Sequence, residues 1–388
     1  MISNVLEKKS IRTALMIVMI LLASVSLLQG IRNAYHDSQD FQWDAAKVFS
    51  MRINPYDESA SMSPSGILDN YGYDEYYLQM EANQFPSLFM ILLPFTVLPP
   101  LTARYVWILC NLIFTALIVI LLRKSVLADM DKYWFSVLML LMIAGTPYRN
   151  QLGVGQHTLF AFCFFLIALY FSEYSEKRNS VIVTIALFIC YFKYTLTIPL
   201  ILILIYKKRY KEIVISAMAH VVLTFVGAWW LNDSFINMIL KPLKVASAIS
   251  ADGGIDISLI TGGGALSYIL AFIIMIGLFV ISIMLKDGYD RSLFSLLLLW
   301  SLIVTYHRTY DFFVIVAIEG LFLEFNDLKK LHGYYVATMV AVFFVLRVFS
   351  ESVPSKIIVG AMYYVLTIAV TYLLILKMNS IKEIKNGQ

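Results

Sequence analysis

The chain is built around runs of apolar residues as long as a bilayer is thick, such as Ile11 to Leu28 and Tyr105 to Leu122. About 18 or more such residues in helical form reach across a hydrocarbon layer of roughly 30 Å. In lipid every backbone N–H and C=O must be paired internally, which leaves helices and closed barrels as spanning forms. These runs lack the period-two alternation of a barrel strand. The expected fold class is therefore all-α, a polytopic integral membrane protein. Composition agrees: 60% of residues are hydrophobic and 14% are charged, where a soluble domain carries about a quarter. The net charge of +4 gives no case for nucleic acid as a partner. Cys110, Cys163 and Cys190 all lie inside apolar runs, without CxxC or metal-ligand spacing, and read as packing residues.

The first run follows Lys8, Lys9 and Arg12 and lacks a small-x-small cleavage site. It reads as an uncleaved first span, about Ile11 to Gly30, with its start in the cytoplasm. A polar stretch from Ile31 to Gln84 comes next, then Phe85 to Pro100, apolar but interrupted by Pro86, Pro94, Pro99 and Pro100. That segment is too short and proline-rich for a span and is expected to lie along or dip into the outer face, so that 31–102 forms one outer loop. Further spans are expected at about Ala103 to Leu122, Tyr133 to Thr146, Thr158 to Phe171, Ser180 to Tyr191, Tyr194 to Tyr206 and Ile213 to Leu231. After a second polar loop come about Ala265 to Leu285, Ser292 to Tyr306, Asp311 to Phe325, Tyr334 to Phe349 and Ile357 to Leu376. This makes about twelve spans in one domain, 1–388, with both termini inside. Most of the 30 lysines and arginines then fall on cytoplasmic segments, as the positive-inside rule requires.

Polar chemistry collects at the opposite, outer ends. The first loop opens with acids and amides from Tyr35 to Asp44. Ser38 reads as an N-cap with Asp40 in the first helical turn; Trp43, Ala46, Val48 and Phe49 give an amphipathic stretch suited to the membrane interface. Asn54-Pro55-Tyr56-Asp57 is a turn signal. On residues alone, Asp40 is as readily a solvated acid as a catalytic one. The segment Arg149 to His157, with Gly153, Gly155 and Gln156, reads as a loop that cradles an anion, or as a tight connection with a snorkelling arginine. Lys193, between two short spans, either snorkels to the interface or binds phosphate. Tyr306-His307-Arg308-Thr309-Tyr310-Asp311 is a dense polar hairpin, in which His307 either shares proton work or belongs to a self-satisfied turn. Arg347 and Glu351 read as a solvated pair, and Glu319 as a charge paired within the bundle. No Walker loop, dinucleotide fingerprint or zinc motif is present, so no cofactor and no metal is expected.

Taken in order, these residues resemble glycosyltransferase family 87, multi-spanning enzymes of the GT-C fold similar to polyprenyl-phosphate-mannose-dependent mannosyltransferases. The resemblance is carried by Asp40-Phe41 with Ala45-Ala46, Asn54-Pro55-Tyr56, Phe85-Pro86 and the run to Leu98-Pro99, Ala103 and Trp107, Gly155-Gln156, Lys193, and His307 to Asp311. Gln84-Phe85-Pro86-Ser87 stands where members often have Tyr-Pro-Pro, and Arg52-Ile53 where a glycine commonly precedes Asn-Pro-Tyr. The resemblance implies a hexosyltransferase that takes its sugar from a polyprenyl-phosphate donor and passes it to a glycolipid or glycan acceptor on the outer face of the plasma membrane. It implies Asp40 as general base with His307 near the reacting groups. It assigns Lys193, Arg149, Gln156, Arg308, Asp311 and Tyr56 to substrate binding. The rival reading is a lipid or solute transporter, for which an inverted repeat is expected and not found.

Overall fold

The computed structural model describes residues 9–58, 82–174, 176–250, 255–262, 264–285, 288–325, 327–345 and 353–386. Every regular element among them is helical. By length and composition six helices can cross a membrane: Lys9–His36, Pro100–Lys124, Lys177–Tyr206, Tyr210–Trp230, Ala265–Met284 and Lys356–Lys377. A seventh is reached if the bent pair Thr146–Val154 and Thr158–Ser172 is taken as one span.

The chain starts with α1 (Lys9–His36), a 28-residue helix. The first polar segment follows as a 3-10 turn over Gln39–Phe41, then α2 (Trp43–Ser50) and α3 (Pro55–Glu58). Asn54 starts α3 by accepting the Tyr56 backbone N–H at 3.1 Å. Two expectations here are corrected. Ser38 does not cap a helix: it sits at φ 41°, and its hydroxyl donates backwards to the Ala34 carbonyl at 2.6 Å. The α2 stretch is no interfacial raft either, because Trp43, Ala45, Ala46, Val48 and Phe49 are all buried against the rest of the protein.

The proline-rich segment forms α4 (Pro86–Leu92) and a 3-10 extension over Leu93–Val97. It packs beneath α2, whose Trp43 indole donates to the Phe95 carbonyl at 3.0 Å. Pro100 then opens α5 (Pro100–Lys124), where its missing N–H costs nothing.

Next come α6 (Lys132–Ala144), capped by the Asp131 carboxylate, and α7 (Thr146–Val154). They run on with only Gly145 between them, alongside α1: the Tyr133 hydroxyl reaches the Arg12 carbonyl, and Gly153 abuts Asn33. Arg149 to Val154 is therefore helix, which excludes the anion-cradling loop, one of the two readings of this segment. Its backbone N–H groups are largely spent, as in Arg149 N–H to Gly145 O at 3.2 Å. The reversal comes at Gly155 (φ 70°), and α8 (Thr158–Ser172) leaves at 107° to α7.

The stretch α9 (Lys177–Cys190), a 3-10 turn over Tyr191–Lys193 and α10 (Tyr194–Tyr206) is apolar and nearly continuous. A straight helix of that length would separate its ends by about 45 Å. Instead the ends meet. Lys207 Nζ lies 2.5 Å from Glu173, Arg209 Nε donates to the Ser172 carbonyl at 3.0 Å, and Ser180 donates to Glu212 at 2.8 Å. The segment is a V with Lys193 at its apex, in keeping with two short segments rather than one long span. α11 (Tyr210–Trp230) then runs back beside α9. At Gly227 it receives α4: a Cβ there would stand 2.6 Å from Pro86 Cβ. His220 lies in the same seam. Its Nε2 bonds the Phe188 carbonyl at 2.7 Å, so that nitrogen carries the hydrogen, and Nδ1 accepts from Ser87 at 2.9 Å.

The remainder comprises α12 (Phe235–Ser250), α13 (Ser258–Thr261), α14 (Ala265–Met284) and α15 (Asp290–Val304). A 3-10 stretch (Thr309–Ile318), α16 (Glu319–Glu324), α17 (Lys329–Val340), a π turn (Ala341–Val345) and α18 (Val353–Asn386) complete it. α15 and the 3-10 stretch are buried almost throughout and form the centre of the main core. Glu319 pairs with His332 at 3.0 Å, as expected of a charge inside the bundle. Arg347 and Glu351 lie outside the described residues.

The bundle has two chemically different ends. Basic residues gather at one: Arg12 beside Tyr133, Lys207 beside Asp290, Arg291 paired to Asp129 at 2.6 Å, and Lys377 over the Phe325 ring. At the other end the first polar segment closes over the turns. Ser38 N–H meets the Gly153 carbonyl at 3.3 Å, the Trp230 indole meets the Phe49 carbonyl at 2.8 Å, and Thr305 meets the Thr195 carbonyl at 2.9 Å.

Candidate active site

Three chain reversals meet under the Gln39–Phe41 turn, and each brings a polar side chain. The α7–α8 reversal brings Gln156 and Thr158. The apex of the V brings Lys193. The bend before the 3-10 stretch brings His307, Arg308, Tyr310 and Asp311. Asp40 hangs from the turn above them.

Asp40 Oδ2 accepts two hydrogen bonds, from Gln156 Nε2 and from the Tyr310 hydroxyl, each at 3.0 Å. Gln156 Nε2 also lies 3.0 Å from the Tyr310 oxygen, closing a triangle. The amide is held from behind, because its Oε1 accepts the His157 backbone N–H at 2.7 Å. The Gln156 carbonyl accepts from the buried Gln151 amide at 2.6 Å. The Gly155 carbonyl accepts from the Trp107 indole at 2.8 Å, so the reversal itself is pinned. Burial on its protein side raises the Asp40 carboxyl above the ordinary carboxylate range; Lys193, the Tyr310 hydroxyl and Arg308 oppose this, and Asp311 adds to it. Asp40 is thus a half-buried, held carboxylate rather than a solvated one.

Asp311 is the second carboxylate and is 1% exposed. Its Oδ2 lies 2.8 Å from His307 Nδ1 and 3.5 Å from Lys193 Nζ, and its Oδ1 accepts the Thr158 hydroxyl. Lys193 does not snorkel: its side chain is 11% exposed and its ammonium also stands 5.9 Å from the centre of the Tyr310 ring. His307 is fully buried, and its Nε2 has no hydrogen-bond partner among the described residues. Arg308 is the exposed cation of the group, with its Nε donating to the Tyr306 hydroxyl at 2.7 Å. The arrangement gathers a raised carboxylate, two cations and an imidazole into one cluster at the less basic end of the bundle. Such a set can take a proton from a hydroxyl and neutralise an anionic leaving group.

Of the residues singled out in the sequence, Asp40, Gln156, Lys193, His307, Arg308 and Asp311 come together. Two lie elsewhere. Arg149 turns to the other side of α7, where it bonds Gln29 of α1 at 3.2 Å and its neighbour Asn150. Tyr56 is 2% exposed within the aromatic core of the first polar segment, its hydroxyl donating to the Gln84 carbonyl at 2.7 Å. Two members of the cluster carry no sequence signal strong enough to single them out, Tyr310 and Thr158. Both are uncharged, and both act across more than 150 residues of chain. Among the described residues no group of three or more His, Cys, Asp or Glu side chains is arranged to hold a metal ion.

Comparison with known proteins bears on the same region. The family model for glycosyltransferase family 87 matches residues 86–308. That span runs from α4 to Arg308 and takes in Gln156, Lys193 and His307, while Asp40 lies before it and Asp311 after it. No curated protein and no solved structure matches the chain. A match over more than half the sequence, on elements that build the polar cluster, makes this chain a member of glycosyltransferase family 87, a glycosyltransferase held in the membrane.

Proposed function

We propose that the protein transfers a sugar, mannose being the first choice, from a polyprenyl-phosphate donor to a hydroxyl of a glycolipid or glycan acceptor. The transfer takes place at the Asp40 end of the bundle, on the outer face of the plasma membrane. The observation that carries this reading is the doubly hydrogen-bonded Asp40 carboxylate beside the Lys193–Asp311–His307 group. The concentration of Lys and Arg at the opposite end supports a cytoplasmic position for that end under the positive-inside rule. It also supports the reading of 31–102 as an outer loop and of a chain that passes back and forth about twelve times.

In one displacement the acceptor oxygen bonds to the anomeric carbon as the bond from that carbon to the phosphate oxygen breaks. The acceptor proton goes to Asp40, and the configuration inverts. The leaving polyprenyl phosphate gains negative charge, which Lys193 and the exposed Arg308 offset. The raised basicity of Asp40 suits a proton acceptor. Apolar residues of the Phe85 to Leu98 segment supply a seat for the prenyl chain.

The test uses the purified full chain in lipid nanodiscs, radiolabelled short-chain polyprenyl-phosphate mannose and a glycolipid fraction as acceptor. Labelled glycolipid should form and should be lost in Asp40→Asn, with the melting curve unchanged. Undiminished transfer by Asp40→Asn removes the mechanism. Movement of intact donor across a sealed bilayer, with no new bond, replaces it with the transporter reading.

A further inference from the structure

Both hydrogen bonds to Asp40 fall on one oxygen. Oδ2 receives Gln156 Nε2 and the Tyr310 hydroxyl, and among the described residues Oδ1 receives none. A carboxylate on a short side chain rotates about its terminal bond unless something fixes it. Here two donors from different reversals converge on the same atom at the same distance, and each is itself restrained. Gln156 cannot flip its amide without breaking the bond from His157 N–H to Oε1 and setting its carbonyl oxygen against the Asp40 carboxylate, where both atoms can only accept. Tyr310 has its ring under the Lys193 ammonium and its hydroxyl bonded by Gln156.

We infer that Gln156 and Tyr310 are positioning residues that fix the Asp40 carboxylate through Oδ2 and leave Oδ1 as the atom that meets the acceptor hydroxyl. This rests on the reading of Asp40 as the base. It takes Gln156 out of the set that touches substrate, where the family resemblance places it, and gives Tyr310 a role that no motif suggested. The assignment has a physical consequence that mere packing would lack. Donors to a carboxylate favour its charged form, so removing one makes Asp40 harder to ionise. Lys193, Arg308 and Asp311 also act on Asp40, and they are unchanged in the variants below.

The first measurement needs no substrate. Infrared difference spectra of the full chain in nanodiscs, titrated with pH, give the protonated-carboxyl band of Asp40, assigned by its loss in Asp40→Asn. In Tyr310→Phe and in Gln156→Leu the midpoint of that band should move to higher pH by about one unit each, the size expected for one hydrogen bond to a charged group. The double variant should move further than either. Transfer assays on the same samples should show kcat lowered about tenfold at pH 7, with the donor KM changed less than threefold. An unmoved midpoint in both single variants overturns the inference even where Asp40→Asn abolishes transfer. A KM change without a kcat change in Gln156→Leu also overturns it, returning that residue to substrate binding. Full activity in Asp40→Asn instead sinks the underlying reading. The two variants lie on separate segments, so if one fails to fold the other still decides.

Discussion

Lys193→Met should separate the stability of this site from its chemistry. The ammonium and the Asp311 carboxylate are 3.5 Å apart, with side chains 11% and 1% exposed. At an effective dielectric constant of about 20, charges at that distance attract by about 5 kcal/mol. Removing one partner strands the other, at a usual cost of about 3–5 kcal/mol. Asp311 would keep its bonds from His307 and Thr158, which places the expected loss near the lower figure, about 3 kcal/mol. Asp311→Asn strands Lys193 instead and should cost a similar amount. The double variant strands neither charge and should lose less than the two singles added together, by about 3 kcal/mol. The assay is equilibrium unfolding of the four proteins in mixed micelles followed by far-ultraviolet circular dichroism. In parallel, if Lys193 serves the leaving phosphate as proposed, transfer should stay absent in the double variant despite its recovered stability. Additive losses, to within about 0.5 kcal/mol, would show that the pair is not coupled and refute the argument.

Two further outcomes follow from particular groups. Because burial raises Asp40, the proposed base becomes protonated, and transfer should be lost, as pH falls through a value above the ordinary carboxylate range of about 4. A pH profile of kcat/KM should therefore show an acid limb displaced toward neutrality; a limb at the ordinary value contradicts the burial argument. In Gly227→Ala the new Cβ would meet Pro86 Cβ at 2.6 Å. Both are stiff, so α4 must shift, with a loss of about 1–3 kcal/mol read by the same unfolding assay.

The apolar helices were legible in the sequence because lipid permits so few alternatives. The broken segments were legible too: Lys193 in the middle of an apolar stretch marked a reversal, since a lysine halfway through the bilayer has nowhere to go. Local polar chemistry misled where backbone geometry decided. Arg149, Asn150 and Gln151 read as loop, yet Pro147 at the first turn of α7 and stacking on α1 make them helix. Ser38 has the composition of a cap, but its left-handed backbone points the hydroxyl back to Ala34. Trp43 to Phe49 has the pattern of an interfacial helix, and the same pattern serves to bury it against the proline segment. In the site, charges could be found from sequence because an unpaired charge is improbable at a span end. Tyr310 could not, because a tyrosine in an aromatic-rich chain is ordinary until its hydroxyl is seen on Asp40.

The triangle around Asp40 also orders events in time. The carboxylate lies 116 residues ahead of Gln156 and 270 ahead of Tyr310. During synthesis the acid therefore emerges long before either companion, and the last of them arrives only when most of the bundle has been threaded into lipid. A ribosome stalled before Tyr310 leaves an inserted protein in which Asp40 has Gln156 but lacks its second donor. Sugar transfer by nested truncations, released one hairpin at a time, would thus report on completed assembly rather than on insertion.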